Sequence, residues 1–243
     1  MPGIFITGTD TDAGKTVATV LLTHGLRERG IEAVPYKPVQ SGAEWKNGEW
    51  RAPDVDMYQL LPEMRGEKLH TYLFKKASSP HLAAEEEQAI IDEEAIIKEI
   101  RRRSAGKQLV LAEGAGGVFV PLNRKGSSVI DVMAEAALPV VIAARTGLGT
   151  INHTMLTIEA LQKRSLPIAG LVFSSIVPGE KTMEQDNMRV IQEWSGLPVI
   201  GHIPFIEDIQ QALQERGRRS EIVKNWAFDR LMEGIESGRN AFI

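Results

Sequence analysis

Gly8-Thr9-Asp10-Thr11-Asp12-Ala13-Gly14-Lys15-Thr16 stands between a short apolar run, Ile4-Phe5-Ile6-Thr7, and a stretch with helical spacing. The run before it reads as a buried strand. The stretch after it, about Lys15 to Arg29, sets Val17, Val20, Leu21, His24 and Leu26 at helical intervals and closes on Gly30. Glycines in such a turn let backbone N–H groups curl toward a phosphate chain, and the helix N-terminus adds positive potential. Lys15 is then placed to reach the β/γ-phosphates of a nucleotide and Thr16 to reach Mg2+. Asp12, Ala13, Gly14 and Val17 belong to the same cradle. Five residues separate Gly8 from Gly14, one more than the generic phosphate loop has. The loop alone names no reaction, because kinases, GTPases, partition ATPases and ligases all use it.

Outward from the loop, short apolar runs alternate with helical patterns. Ala33 to Tyr36 reads as a second strand, kept short by Pro35. Residues 42–80, with Gly42, Gly48, Pro53, Pro62, Gly66 and Pro80, read as a long irregular insertion near the site, broken only by a short helix near Val55 to Leu61. Residues 83–103 read as helix, in one or two pieces, ending in Arg101-Arg102-Arg103, a solvated C-terminus favoured by the helix dipole. Further strands are expected at Leu109–Ala112, Pro139–Ala143, Ile168–Phe173 and Val199–Ile203. Helices are expected at Thr150–Lys163, Lys181–Trp194 and, in the tail, about Glu207 to Gly238. This alternation predicts a single P-loop NTPase-like α/β domain over 1–243, its mostly parallel sheet covered by helices on both faces.

Composition narrows the classes. The 243 residues are 43% hydrophobic and 25% charged, which is ordinary globular usage and excludes a disordered or collagenous chain. A net charge of −4 with 6% aromatics argues against a general nucleic-acid binder. With no cysteine there is no disulfide framework, thiol nucleophile or cysteine metal site, in keeping with a reducing cytoplasm. The longest apolar run, Ala136 to Ala144, contains Pro139 and falls far short of the ~20 residues of a membrane span. Met1-Pro2-Gly3-Ile4-Phe5 enters a strand pattern directly, without the look of a signal peptide. The five histidines are scattered, without an HExxH pair.

Other candidate site residues sit at strand ends, where ligands bind in parallel sheets. Lys37, in Tyr36-Lys37-Pro38-Val39-Gln40-Ser41-Gly42, reads either as a surface lysine or as a second cation beside Lys15. Two lysines at one phosphate chain make sense where several negative charges develop between them. Asp54 and Asp56 read as helix N-caps or as metal ligands. Glu113, at the end of a buried strand and followed by Gly114-Ala115-Gly116-Gly117, is well placed for Mg2+, which prefers oxygen ligands. Gly147 to His153 opens a helix, whose N–H groups either receive a carboxylate or are simply capped by Thr150 or Asn152. His153 and His202 are given no catalytic role.

Taken together these segments resemble the dethiobiotin synthetase family over most of the chain. The resemblance rests on Gly8–Thr16 with its long spacing, Tyr36-Lys37-Pro38-Val39, Ser41-Gly42 and Ser79-Pro80-His81. It continues through Glu113-Gly114-Ala115-Gly116-Gly117, Gly149-Thr150-Ile151-Asn152-His153 and Gly201-His202-Ile203-Pro204. It implies ATP-dependent carboxylation and ring closure of 7,8-diaminononanoate with CO2, through a carbamate and a carbamic–phosphoric anhydride. It implies that Lys15 and Lys37 stabilise the transferring charge and that Thr16, Asp54 and Glu113 hold Mg2+, with Asp56 the weaker choice. Ser41 would bind the diamine. The substrate carboxylate would lie on Thr150, Ile151 and Asn152, supplied by the other subunit of a homodimer.

One place departs from the family. Where it often carries Asn-Asp beside the adenine, this chain has Ser174-Ser175, and a hydroxyl is shorter and less selective than an amide. Looser nucleotide preference is the expectation there. Pro204-Phe205-Ile206 is expected to wall the base. Three other readings compete: a related amidotransferase-like ligase, a small nucleotide kinase, and a MinD/ParA-like ATPase switch. The ligase lacks a cysteine for a glutaminase module. The switch calls for a basic amphipathic tail, and the basic residues after Glu221 are offset by acidic ones. No nucleic-acid or membrane partner is expected.

Overall fold

The structure, a computed structural model, describes residues 3–106 and 108–240. Met1 and Pro2, read above as strand entry, lie outside the described residues, as do Lys107 and residues 241–243. In chain order the strands are β1 (Gly3–Gly8), β2 (Ala33–Gln40), the pair β3 (Glu44–Lys46) and β4 (Glu49–Arg51), β5 (His70–Leu73), β6 (Leu109–Gly117), β7 (Val140–Arg145), β8 (Ile168–Ser174) and β9 (Val199–Ile203). β3 and β4 pair with each other, antiparallel. The other seven form one all-parallel sheet in the order β5-β2-β6-β1-β7-β8-β9.

The helices are α1 (Lys15–Arg27), α2 (Pro53–Tyr58), α3 (Pro80–Glu86), α4 (Glu93–Ser104), α5 (Val129–Ala136), α6 (Thr150–Lys163), α7 (Lys181–Ser195), α8 (Ile209–Gln214), α9 (Arg216–Val223) and α10 (Phe228–Asn240). Strand alternation sorts the core into two layers. Ile4 and Ile6 face a layer shared with α1, α2 and α8 to α10. Phe5 faces the opposite layer, shared with α3 to α7. Burying each such side chain contributes about 1.5–3 kcal/mol. The expected α/β sheet with helices on both faces is what forms.

Because β1 lies between β6 and β7, the chain leaves it on one side for β2 and later crosses to β7 on the other. The loops after β1 and its neighbours therefore part over the C-terminal end of β1 and leave a crevice there.

Three expectations need correction. Residues 42–80 are not irregular: they hold the β3–β4 pair, α2, a 3-10 turn at Pro62–Met64 and the edge strand β5. β5 hides in sequence because it has only four residues and pairs on one side alone, with Lys37, Val39 and Gln40 of β2. β2 runs to Gln40 despite Pro35 and Pro38. The Lys37 amide donates toward the β5 side, to Leu69. By the two-residue period Pro35 faces that side too, ahead of where β5 begins, while Pro38 faces β6 beyond the last pair, Tyr36 with Ala112. Neither proline costs a ladder bond. Finally, the arginine triplet is not uniformly solvated: Arg103 lies over the Tyr36 ring, 4.7 Å from its centroid. Helix α5 has no counterpart among the sequence expectations. Its signature was there in Ser128 and Asp131, which form a capping box.

Candidate active site

β1 ends at Gly8 and α1 begins at Lys15, so the loop between them spans the centre of the crevice. Gly14 has φ 85°, and a Cβ there would lie 2.7 Å from the Ser174 side chain. Both backbone hand and space demand glycine. Asp12 also takes a positive φ, 56°. Two cations hold the loop: Lys15 Nζ donates to the Asp10 carbonyl at 2.8 Å, and Arg145 donates to the Thr11 carbonyl at 2.7 Å.

Beneath the loop lies a buried charge cluster. Lys37 Nζ sits 2.6 Å from Asp54 Oδ2 and 2.8 Å from Glu113 Oε1 and donates to the Gly114 carbonyl at 3.1 Å. Thr16 Oγ1 lies 2.9 Å from Asp54 Oδ1 and 2.8 Å from Glu113 Oε1. On its other side Glu113 Oε2 accepts from Thr19 Oγ1 at 2.8 Å and from the Tyr58 hydroxyl at 2.6 Å. Burial alone would lower the Lys37 pKa, but Asp54 and Glu113 outweigh it and the pKa is raised. Burial would raise that of Asp54, but Lys37 brings it down. Lys15 lacks so close a carboxylate. Burial and then Lys37 lower it to about 8. The Tyr58 hydroxyl is pushed up by burial and by Glu113, so it stays a donor.

The crevice is a cleft of about 760 Å³. On the side of the loop it is lined by Asp12, Gly14, Lys15, Thr16, Val17, Lys37, Asp54 and Glu113. Ala115 and Gly116 lie beside these, and Ser41 lines it near Ser78, whose carbonyl accepts from the Ser41 hydroxyl at 2.7 Å. The lining continues through Ser174, whose side chain is packed against Gly14, to Ser175, Pro204, Phe205 and Ile206. Ala13 and Gly114 stay out of the lining: Ala13 is fully buried, and Gly114 gives its carbonyl to Lys37. Asp56 turns away to Arg51, 2.7 Å off. Thr150, Ile151 and Asn152 open α6 outside the cleft, and the Thr150 hydroxyl donates to the Arg145 carbonyl.

Sequence reasoning missed Thr19, Tyr58, Thr146 and Glu184. Thr19 follows Lys15 by four residues on α1, and Tyr58 follows Asp54 by four on α2, so helical spacing puts each on the face of a residue already singled out. Thr146 and Glu184, joined at 2.7 Å behind Ser175, carry no such signal.

Among the described residues no three His, Cys, Asp or Glu side chains cluster as a metal cage. The oxygen set of Thr16, Asp54 and Glu113 nonetheless fits Mg2+, which is usually held by one or two carboxylates together with phosphates. Lys37 shows that a cation is welcome between the two carboxylates.

A parallel sheet whose central strand runs into such a loop, with lysines and carboxylates gathered over it, defines the P-loop class of nucleotide-binding α/β proteins. A family model described as an AAA domain matches residues 2–212. An ATP-dependent dethiobiotin synthetase BioD of Halalkalibacterium halodurans is 42% identical over 234 residues, covering 96% of this chain and 97% of that one. Another, of Anoxybacillus flavithermus, is 42% identical over 206 residues, covering 85% and 93%. The chain belongs to the ATP-dependent dethiobiotin synthetase family, whose members are ATP-dependent ligases. Among solved structures, a ParA family ATPase of Chlorobium tepidum has TM-score 0.56 at 13% identity, covering 100% of this chain and 98% of that one. The pNOB8 ParA bound to nonspecific DNA has TM-score 0.59 at 12% identity, covering 97% and 99%. At such identities the likeness is one of fold.

Proposed function

We propose that this chain makes dethiobiotin from 7,8-diaminononanoate, CO2 and ATP, releasing ADP and phosphate. The observation that carries the reading is Lys37, buried between Asp54 and Glu113 beside the phosphate loop. One amine takes up CO2 as a carbamate. The carbamate oxygen attacks the γ-phosphate, giving a carbamic–phosphoric anhydride and ADP. The second amine then attacks the carbonyl, closes the ureido ring and expels phosphate.

Phosphoryl transfer asks mainly for positioning and charge stabilisation. Lys37, kept charged by its two carboxylates, meets the carbamate and the γ-phosphoryl oxygens. Lys15 leaves the Asp10 carbonyl to reach the phosphates, whose charge favours its protonated form. Ser41 orients the diamine. Mg2+, held by Thr16, Asp54 and Glu113, would offset charge on the phosphate oxygens. The base lies between Ser174–Ser175 and Pro204–Ile206.

The working form in this reading is one domain per chain in a cytoplasmic homodimer. The second copy brings the start of α6 (Thr150, Ile151, Asn152) to the substrate carboxylate. Leu148, 90% exposed just before α6, and Leu156, 56% exposed on it, are apolar surface that a second copy would cover. No nucleic acid or membrane partner enters this reading. Among the described residues no helix is long and apolar enough to cross a membrane.

Incubation with the diamine, bicarbonate and MgATP, read by mass spectrometry, tests the reading. The expected product is heavier by one carbonyl and lighter by two hydrogens, with matching ADP. ATP loss independent of the diamine points instead to the ParA/MinD-like switch that the fold also resembles.

A further inference from the structure

Behind the base end of the cleft lies a row of four polar side chains. Thr146, just past β7, has its Oγ1 2.7 Å from Glu184 Oε1 on α7 and 3.0 Å from Ser175 Oγ, just past β8. Ser175 Oγ lies in turn 2.9 Å from His202 Nε2 on β9. Thr146, Ser175 and Glu184 are buried and His202 is half-buried, so the row has little water to complete its bonds. Gly179 fits Glu184 closely: a Cβ there would lie 2.7 Å from Oε1.

With all three contacts hydrogen-bonded, the protons available allow one direction for each. A carboxylate only accepts, and a hydroxyl has one hydrogen. Thr146 gives its hydrogen to Glu184, so Ser175 must give its own to Thr146, and His202 Nε2–H must donate to Ser175. Burial lowers the His202 pKa against the pull of Glu184. The neutral ring with hydrogen on Nε2 and the imidazolium both donate here, so the direction holds in either form.

Ser175 lines the cleft, whereas Thr146 and Glu184 do not. With its hydrogen committed inward, Ser175 offers a ligand only a lone pair. We infer that Ser175 reads the nucleobase as an acceptor, so that the cleft favours bases with an exocyclic amine at that edge, adenine and cytosine, over guanine and uracil. Thr146 and Glu184 set this preference without touching the base. The inference rests on the nucleotide site proposed above. Ser174, whose hydroxyl can turn either way, and the apolar wall at Pro204–Ile206 accept any base. The looser preference expected from two serines is thus confined to the choice within each pair.

Calorimetric titration of the full chain with MgATP, MgCTP, MgGTP and MgUTP, without diamine, tests it. The amine bases should bind about tenfold tighter or more, the order of effect when a carbonyl faces a buried acceptor. Thr146→Val removes the acceptor of the Ser175 hydrogen and frees it to meet a carbonyl. The preference should then shrink to about threefold or less, through tighter binding of GTP and UTP. A merely structural role would weaken all four alike. If this variant fails to fold, Ser175→Ala should lose the preference through weaker ATP and CTP. Equal binding of the four by the unaltered protein overturns the inference, and so does a preference that survives both substitutions. Failure of every nucleotide to bind defeats the nucleotide site itself, and the inference with it.

Discussion

Helix α1 has a buried charged cluster at each end, and the two are balanced in opposite ways. At its N-terminal end Lys37 meets two carboxylates, and their charges prevail over burial. At its C-terminal end His24 faces another cation: Arg219 Nε donates to His24 Nδ1 at 3.4 Å. Burial and then Arg219 lower His24, and burial lowers Arg219. Glu28, 3.6 Å from His24, and Glu63 pull the other way and do not prevail. Arg219 also donates to the Leu213 and Gln214 carbonyls at 2.6 and 3.2 Å. Burial by itself drives ionisable groups toward neutrality. Lys37 keeps its charge because two carboxylates close on it, whereas Glu28 and Glu63 do not hold a proton on His24 against burial and Arg219. The far cluster instead ties α9 to α1 with a neutral imidazole.

The sharpest way to break this contrast is Lys37→Ala. Removing one charge stabiliser commonly costs ~10²–10³ in rate, so turnover should fall by that much while circular dichroism keeps the α/β signature. Near-normal turnover would take Lys37 out of the site. The same change strands two carboxylates, so denaturant unfolding should also show a loss on the order of 3–5 kcal/mol. Tyr58→Phe acts one step back, by freeing Glu113 Oε2. Partners of metal-binding groups are typically worth 10–100-fold in metal affinity. Mn2+ binding in the presence of nucleotide, followed by electron paramagnetic resonance, should weaken within about that range, and unchanged binding would leave Tyr58 a packing residue.

At the far end the effects should be on stability alone. Arg219→Met loses charged donors to two carbonyls and should cost about 1.5–3 kcal/mol in chemical denaturation, with turnover within about twofold. A larger drop in turnover would mean that the two ends of α1 are coupled. The smallest effect is the pH slope. The folded pKa of His24 lies below its ordinary 6.5, so the folded chain binds fewer protons than the unfolded one. Its contribution to stability is complete above that value and is lost as pH falls through it toward the folded pKa. His24→Gln should flatten the fall in unfolding free energy between about pH 7 and 5.5, though not abolish it, since His70 and His202 are lowered as well. An unchanged slope would show that neither burial nor Arg219 lowers His24.

Much of this was legible in the residues. Ile4 to Thr16 states a strand, a phosphate loop and a helix in local terms, because hydrophobic period and glycine placement act over a few residues. Lys37, Asp54 and Glu113 could be nominated for the same reason, each beside a recognisable apolar run or turn signal, although β2 and β6 continue past Lys37 and Glu113. β5 could not be read, because its partner lies on a strand far back in the chain and four residues carry little periodicity. The continuation of β2 through two prolines was equally hidden, since it depends on which neighbour each missing N–H would have faced.

The sequence by itself determined the strand–loop–helix core, the alternation that makes a parallel sheet, and the residue types gathered at its C-terminal ends. Only the tertiary structure decided which carboxylate meets which cation. It also decided that Tyr58 and Thr19 back Glu113, and that Thr146 stands between Glu184 and Ser175. The physical reason is range: propensity and pattern act between neighbours in sequence, whereas charge state and hydrogen-bond direction are set by groups that meet only after the sheet has formed.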